Sequence, residues 1–506
     1  MRDTIERERE RERERGGNYK LIDKFILWYL PALYVVCFII SSCLQVYFFN
    51  VKDYDFNFFL TQPYRIFQGW DACIPFSLSA SEYSFYAHHF TPLSFLLAPV
   101  IGLFPSPYTL AVIHACSVGL VAFILPRLAQ CVLESSSLQD QPLVWRSVSL
   151  FILLIFFFFS PYIAAYNCAT HFTTLVTPAL ALALLSLHKG WHRILFICCI
   201  LILIAQERAS VSIFGLGMYA VLVLRQYRLG IFLCLVSTTW FFCVVKVILP
   251  LLRDYAGLDG DYAFAHAINV GVLLPQKLSY LFLFCLFSIF LPFCGKKAFL
   301  TACCALPMIG MSLVSGREGM LRFVFHYQDL PSIFVLLSMT YGAAWLQQKI
   351  SFRHWWKLAT VTVIVYIVAI QLSNTALTNP IPKTISFLTS PHRDALSALN
   401  EDVKRFADVP EEVHLYVQSG MGPRFAFFRH RYAARAETLA KAASHPSFFI
   451  ISPVCFMQQK DSFEQLAAKA DRQAGLELVL DNGRMRVYAS QQLKAEYADL
   501  LSRITE

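Results

Sequence analysis

The chain has 506 residues, of which 57% are hydrophobic and 15% are charged, and its formal net charge is +9. Its apolar runs are longer than one soluble core can bury, so the composition excludes an ordinary soluble globule and indicates a polytopic integral membrane protein. Lys and Arg cluster in short segments between the apolar runs, which is typical of membrane topology and not of nucleic-acid binding. We therefore expect membrane lipids as partners and no nucleic acid.

The N-terminal arm, residues 1–20, is rich in alternating Arg and Glu, whose charges nearly cancel. Because it offers no apolar face, we expect it to be disordered and assign it no chemistry. The first apolar run, residues 25–49, is not preceded by the features of a cleaved signal peptide. It is therefore predicted to remain as the first transmembrane helix.

Basic loops alternate along the chain with loops that carry Asp, His and Tyr. The positive-inside tendency then predicts about eleven transmembrane helices within residues 21–375, with the N-terminus in the cytoplasm and the tail outside. The apolar run 90–104 is too short to cross a hydrocarbon core of about 30 Å, so it is predicted to lie at the outer interface, within a first outer loop spanning residues 50–106. Two short runs, 147–160 and 193–205, leave re-entrant helices as an alternative.

From residue 376 to residue 506 the composition changes to that of a small α/β domain, which we expect on the extracytoplasmic side. Helical patterns at 393–406 and 463–474 alternate with β-type runs, and Asp481-Asn482-Gly483 indicates a hairpin turn. The segment Ser419-Gly-Met-Gly-Pro-Arg424 matches no common phosphate-loop pattern and is interpreted as a turn. The β-type runs are 413–418, 448–452, 476–480 and 485–488.

Several blocks of the sequence resemble an uncharacterised prokaryotic membrane-protein family, domain of unknown function twenty seventy-nine. The blocks are Tyr54-Asp55-Phe56-Asn57-Phe58-Phe59, Gly69, His89-Phe90-Thr91-Pro92, Leu96-Leu97-Ala98-Pro99, Phe104-Pro105-Ser106-Pro107, Gln206-Glu207-Arg208-Ala209 and His326-Tyr327. The family is similar in layout to the GT-C superfamily of lipid-phosphate-sugar glycosyltransferases. The resemblance implies a GT-C-like transferase with an acidic residue in its first outer loop.

This chain also departs from the family pattern. Leu60 and His88 stand where the family has aspartates, and Gln206 and Arg208 replace the residues around the family's glutamate. A mechanism that needs two acidic residues in the first loop is therefore not expected here.

Asp55 is the first candidate for the catalytic base, since a carboxylate is needed to take the acceptor proton during sugar transfer, and Asp53 beside it is a candidate for substrate binding. The alternative for Asp55 is a solvated loop carboxylate or a helix cap. Glu207 interrupts an apolar stretch, where an ionisable group costs about 2.5 to 3.5 kcal/mol unless it is paired or hydrated. It is predicted to assist Asp55 or to hold a divalent cation, unless it forms a structural ion pair with Arg208.

The outer loop 315–329 supplies candidate phosphate ligands, because guanidinium groups bind phosphate through paired hydrogen bonds. The candidates are Arg317, Arg322 and His326, with Tyr327 beside them; contact with ordinary anionic lipid headgroups is the alternative. His89 is interpreted either as a phosphate ligand or as a cap of the interface helix.

These features together predict a glycosyltransferase of the bacterial inner membrane that moves a sugar from a polyprenyl-phosphate-linked donor to an acceptor on the extracytoplasmic face. A transporter or flippase of lipid-linked intermediates would use the same intramembrane charges as a pathway. A non-catalytic scaffold whose outer domain binds a partner is the third hypothesis.

Overall fold

The computed structural model describes residues 20–51, 53–70, 89–134, 142–168, 170–255, 272–315, 318–322, 326–372, 380–456 and 460–505. Apolar α-helices dominate up to residue 372. Their bounds are Leu30–Tyr47 (preceded by the π-turn Phe25–Tyr29), Asp53–Phe67, Leu93–Leu103, Pro107–Glu134, Pro142–Phe158, Ser160–Cys168, Phe172–Leu175, Thr177–Lys189, His192–Leu203, Ser210–Leu222, Tyr227–Cys243, Leu249–Tyr255, Leu274–Phe287, Lys296–Cys303, Leu306–Val314, Asp329–Lys349 and Phe352–Leu372.

Five helices of the described segments are long and apolar enough to cross a membrane. The pair Lys296–Cys303 and Leu306–Val314, bent by 47°, makes six if it forms one broken span. Several further apolar helices are shorter than a full span, so the total of eleven stays a prediction. The five long helices are Lys20–Tyr47, Pro107–Glu134, Phe172–Lys189, Tyr227–Tyr255 and Asp329–Lys349.

The apolar run that was predicted not to cross forms the 11-residue helix Leu93–Leu103. At about 1.5 Å per residue this helix is about 17 Å long, which is much shorter than a hydrocarbon core of about 30 Å. Its exposed side chains include Phe95, Leu96 and Leu103. A short helix with an exposed apolar face is the geometry expected of an interface helix.

Two glycines permit a close contact between neighbouring helices of the bundle. A Cβ atom on Gly217 would lie 2.6 Å from the carbonyl oxygen of Gly230, and a Cβ atom on Gly230 would lie 2.7 Å from that of Gly217. Helices Ser210–Leu222 and Tyr227–Cys243 therefore touch backbone to backbone at this point. Such contacts are typical of membrane helices, where small residues permit close approach.

The tail contains a five-stranded sheet in the order β2-β1-β3-β5-β4, with β1 His414–Val417, β2 Arg431–Ala433, β3 Ser447–Ile451, β4 Leu476–Asp481 and β5 Arg486–Ser490. Strands β2, β1 and β3 are parallel, whereas β5 is antiparallel to both β3 and β4. The predicted hairpin joins β4 to β5, and Gly483 in its turn has a φ of 75°, which glycine adopts without strain. The tail helices are Pro380–Leu388, Arg393–Lys404, Leu439–Ala443, Lys460–Asp471, Gln491–Glu496 and Ala498–Thr505.

Both faces of the sheet are buried. Alternate strand residues such as Leu415 and Phe448 pack beneath Leu399 on one face, and Tyr416 and Phe449 pack with Ala467 on the other. The sheet therefore has packed layers on both faces; the alternating pattern of the sequence had predicted the mixture of helices and strands but not this layering. The segment 419–424, interpreted as a turn, lies in the 3₁₀ helix Ser419–Phe425.

Three histidines stack at one end of the sheet. The ring centroid of His414 lies 4.6 Å from those of both His430 and His445. Burial and the two neighbouring imidazoles lower the pKa of His414 to about 4. His414 is therefore neutral at pH 7, and its ring packs as an ordinary aromatic group.

The tail contacts the end of the first span and the helix that follows it. The amide of Asn400 donates to the carbonyl oxygen of Tyr47 at 2.6 Å, and the hydroxyl of Thr61 donates to that of Ala426 at 3.2 Å. Phe48 and Phe49 are buried in the same apolar cluster as the inner face of the sheet. The tail is thus packed against the membrane bundle through side-chain contacts as well as joined to it by the chain.

Candidate active site

Glu207 lies at a break between two apolar helices. Helix His192–Leu203 ends before it, a single 3₁₀ turn covers Glu207–Ala209, and Ser210–Leu222 follows. The hydroxyl of Ser210 donates to the carbonyl oxygen of Glu207 at 2.7 Å. The Glu207 side chain is buried, with 3% of its surface exposed. The helix is interrupted at this turn, and the carboxylate of Glu207 lies inside the bundle.

The partner of Glu207 is His89, which precedes the interface helix. The Glu207 Oε1 atom lies 2.6 Å from His89 Nδ1, and Oε2 accepts a hydrogen bond from the backbone N–H of Phe90 at 3.1 Å. The alternative of an ion pair between Glu207 and Arg208 was wrong, because the Arg208 guanidinium contacts Thr173 and Asp329 instead. The capping role considered for His89 was also wrong, since its ring contacts Glu207 and Pro92 is the residue at the cap position of helix Leu93–Leu103.

Arg208 joins a second polar group, centred on Asp329. Its Nη2 atom donates to the hydroxyl of Thr173 at 2.8 Å and lies 3.7 Å from Asp329 Oδ1. Asp329 Oδ2 accepts hydrogen bonds from the hydroxyls of Thr173 at 2.6 Å and Thr174 at 3.0 Å. Asp329 is only 1% exposed. The aspartate is therefore a fixed anionic support that orients the guanidinium group.

Three apolar helices begin at this cluster. The span Phe172–Lys189 starts just before Thr173, Ser210–Leu222 starts just after Arg208, and Asp329–Lys349 starts at Asp329. The N-terminal ends of helices carry partial positive charge and unpaired N–H groups. Together with the arginine, these helix ends make this end of the bundle attractive to anions.

A small pocket, of about 30 Å³, lies beside Arg208. The guanidinium carbon lies 4.9 Å from the ring centroid of Tyr327, which forms part of the pocket wall. Within the described part of the chain, the buried Nε of Arg208 makes no hydrogen bond. The pocket therefore combines a cation that has spare hydrogen-bonding capacity with a flexible apolar wall. The rest of the wall consists of Met308, Met311, Ser312, Met320, Asp329, Leu330 and Pro331.

The first predicted base, Asp55, lies with Asp53 in the first turn of helix Asp53–Phe67; the side chains of both residues are outside the described part. One turn beyond Asp55, the ring of Phe59 packs 4.8 Å from His171 and 4.4 Å from Phe172. The helix that carries Asp55 therefore packs directly against the chain segment that leads into Thr173.

The predicted residues of the loop 315–329 have different placements. Arg317 lies outside the described residues, and so does the side chain of His326, whose backbone is in the turn His326–Gln328. Arg322 is exposed and forms an ion pair with Glu318 at 2.6 Å. Tyr327 lies at the site beside Arg208.

Three site residues were missed from the sequence: Thr173, Thr174 and Asp329. Asp329 could have been predicted as a site residue, because it is an acidic residue at the start of the apolar helix Asp329–Lys349. The threonines gave none, since hydroxyl residues are common in membrane helices. The described residues contain no group of three or more His, Cys, Asp or Glu that could hold a metal ion.

Comparison with solved structures shows the fold. The chain resembles the crystal structure of ArnT from Cupriavidus metallidurans bound to undecaprenyl phosphate, with a TM-score of 0.52 and 11% sequence identity. The similarity covers 91% of this chain and 97% of that chain. The GT-C-like layout predicted from the sequence is thereby confirmed.

No curated protein matches the sequence. The family model described as "Predicted membrane protein (DUF2079)" matches residues 45–491, which include helix Leu93–Leu103, the buried polar cluster and the entire sheet. The chain therefore belongs to this family of membrane proteins.

Proposed function

We propose that this protein is a membrane glycosyltransferase that moves a sugar from a polyprenyl-phosphate-linked donor to an acceptor on the extracytoplasmic face. The GT-C-like fold supports this proposal, and so does the polyprenyl phosphate bound to the similar ArnT structure. The observation that carries it is the different pairing of two adjacent residues: Glu207 contacts His89, while Arg208 contacts Thr173 and Asp329 beside a small pocket.

The donor's phosphate binds at Arg208 in this proposal. Asp329 and Thr173 hold one edge of the guanidinium group, so its remaining N–H groups are available to phosphate oxygens. The prenyl chain then lies along Met308, Met311 and Met320, whose side chains adapt to an irregular apolar ligand. Arg208 also stabilises the negative charge that the phosphate gains as it leaves the sugar.

Asp55 is proposed as the base that takes the acceptor's hydroxyl proton as the acceptor oxygen bonds to the anomeric carbon and the carbon–phosphate oxygen bond breaks. The packing of Phe59 on His171 and Phe172 brings the helix that carries Asp55 against the same cluster. The Glu207–His89 pair is proposed to assist by accepting or passing on this proton. Both carboxylate oxygens of Glu207 are engaged, one by His89 and one by the backbone N–H of Phe90, so the proposal assigns no step to a divalent cation.

Helix direction supports the proposed outer-face location. The three helices that begin at the cluster end near basic residues: Lys189, Arg225 and Lys349. The positive-inside tendency assigns these basic ends to the cytoplasm, which leaves the cluster on the extracytoplasmic side of a bacterial inner membrane. On this proposal the tail, residues 376–506, is an extracytoplasmic domain, packed on the first span and on the helix that follows it.

Mass spectrometry of lipid-linked and surface glycans tests the proposal in cells that express Glu207→Gln or Asp55→Asn in place of the wild type. Because proton transfer by a positioned group contributes about 10²- to 10⁴-fold, both variants are expected to accumulate an undecorated acceptor and lose at least about 99% of product. Glu134→Gln is the matched control, since Glu134 pairs with Lys189 at the opposite, exposed end of the bundle.

Normal glycans in cells that carry correctly inserted Glu207→Gln protein would overturn the proposed role of the buried pair. Normal glycans in cells without the protein would overturn the transferase and favour the transporter or scaffold hypotheses.

A further inference from the structure

A second cavity, of about 420 Å³, lies between the membrane bundle and the tail. We call it the Arg424 cleft; its polar lining is formed by Tyr47, Ser106, Tyr108, Asn400, Glu401, Lys404 and Arg424. Cavities of about 300 to 1,000 Å³ are typical of small-molecule sites. None of these seven residues belongs to the cluster around Glu207 and Arg208.

Arg424 is held rigidly in this cleft. Its Nη2 atom donates to the hydroxyl of Tyr108 at 2.9 Å and to the side-chain oxygen of Asn400. Its guanidinium carbon lies 5.0 Å from the ring centroid of Tyr108 and 5.6 Å from that of Phe49. The amide of Asn400 donates to the carbonyl of Tyr47, so its oxygen is directed at Arg424.

This arrangement leaves one side of the guanidinium group for a ligand. Only the Nη2 atom of Arg424 donates a hydrogen bond within the described residues, and Nη1, which is not buried, makes none there. Preorganised arginines of this kind lose little side-chain entropy when they bind an anion. Lys404 adds a second cation at the rim, where it pairs with Glu401 at 2.7 Å. The cleft is thus weakly positive and has a donor available for an anionic group.

The cleft lies at the depth of lipid headgroups. Tyr47 is the last residue of the candidate span Lys20–Tyr47, and Pro107 is the first residue of the candidate span Pro107–Glu134. Both belong to the cleft wall. Because two spans terminate at this level, the cleft opens where the hydrocarbon core ends and phosphate groups begin.

An exposed apolar surface leads into the cleft. Leu103 and Phe104, at the end of the interface helix, are 65% and 64% exposed, and Ser106 in the cleft wall follows two residues later. Phe95 and Leu96 on the same helix are also exposed. Acyl chains would remove these side chains from water while the attached headgroup reaches Arg424.

We propose that the Arg424 cleft binds the headgroup of an anionic phospholipid. A phosphate oxygen accepts a hydrogen bond from Arg424 Nη1, Lys404 supplies a second positive charge, and the acyl chains lie against Leu103 and Phe104. A net anionic lipid is favoured over a zwitterionic one, because Arg424, Lys404 and Glu401 together leave the cleft with one net positive charge, which attracts a net anionic headgroup. The site goes beyond the transferase proposal and is independent of it.

Binding of dioctanoyl phosphatidylglycerol to the purified full-length protein in neutral detergent tests this site, with dioctanoyl phosphatidylcholine and glycerol phosphate as comparison ligands. The variants are Arg424→Gln and Lys404→Gln; the second changes an exposed residue and is expected to fold normally. Arg429→Gln is the matched control, because Arg429 is an exposed tail arginine that pairs with Glu411 outside the cleft.

We expect the anionic lipid to bind at least about tenfold more tightly than the zwitterionic lipid. Both lipids carry the phosphate that Arg424 binds, but only the zwitterionic lipid has a headgroup ammonium, which the net positive cleft repels. Arg424→Gln should remove this preference, Lys404→Gln should weaken it about threefold, and Arg429→Gln should leave it unchanged. Equal binding of the two lipids, or an unchanged preference in folded Arg424→Gln and Lys404→Gln proteins, would overturn the site. Equally tight binding of glycerol phosphate would overturn its assignment to a lipid.

Discussion

Glu207 and Arg208 are adjacent in the chain, yet each binds a different part of the molecule. The 3₁₀ turn that carries them directs Glu207 to His89 and Arg208 to Thr173 and Asp329. From the sequence alone, an acidic and a basic neighbour were a plausible ion pair. Their actual partners are far away in sequence, and only the tertiary fold selects them. The sequence therefore predicted a functional role for Glu207 but not which residue it contacts.

Substitution Asp329→Ala tests the energetics of this cluster. It leaves the largely buried Arg208 without its carboxylate and the hydroxyls of Thr173 and Thr174 without their acceptor. Loss of one partner of a buried ion pair costs about 3 to 5 kcal/mol. We expect a clear fall in the thermal unfolding midpoint of the protein in detergent.

The control for this variant is Glu477→Gln, which removes an exposed ion pair with Lys494 in the tail. Exposed pairs contribute about 0 to 1 kcal/mol, so its midpoint should remain close to that of the wild type. Equal midpoints for Asp329→Ala and the control would contradict the idea that Asp329 supports Arg208.

Elements of the tail were predicted well because their signals are local. The β-type runs at 413–418, 448–452, 476–480 and 485–488 correspond to β1, β3, β4 and β5. Strand β2 was missed, since a three-residue strand has no alternation to detect. The number of membrane spans was harder to predict, because short apolar helices such as His192–Leu203 have no composition signal that separates a full span from part of one.

The contact between helices Ser210–Leu222 and Tyr227–Cys243 gives a prediction at this scale. Gly217→Ala places a methyl group against the backbone of Gly230. The helices must then separate, which should destabilise the protein by about 1 to 3 kcal/mol and lower its unfolding midpoint in detergent.

Gly310→Ala is the matched control in helix Leu306–Val314, because nothing lies within 4 Å of a Cβ atom added there. This variant should be neutral or slightly stabilising, as alanine is a better helix former than glycine. A Gly217→Ala protein as stable as Gly310→Ala would show that the two helices do not pack as closely as described.

The whole molecule brings together segments that are distant in sequence. The helix that carries Asp55 contacts both the polar cluster, through Phe59 and His171, and the tail, through Thr61 and Ala426. The sequence predicted the order of these parts and the GT-C-like layout, because blocks of characteristic residues keep their order along the chain. It did not predict the packing of the tail onto the first span, because that packing joins residues far apart in sequence, such as Tyr47 and Asn400, and local sequence patterns do not reveal such contacts.

Binding of a short-chain polyprenyl phosphate to the purified protein tests the central claim, that Arg208 beside the buried Glu207–His89 pair forms the phosphate site. We predict that Arg208→Gln weakens binding at least about tenfold, because it removes the charge-assisted hydrogen bonds, while Arg322→Gln, at an exposed arginine paired with Glu318, has little effect. Unchanged affinity in a folded Arg208→Gln protein, or loss of binding only in Arg322→Gln, would contradict the account.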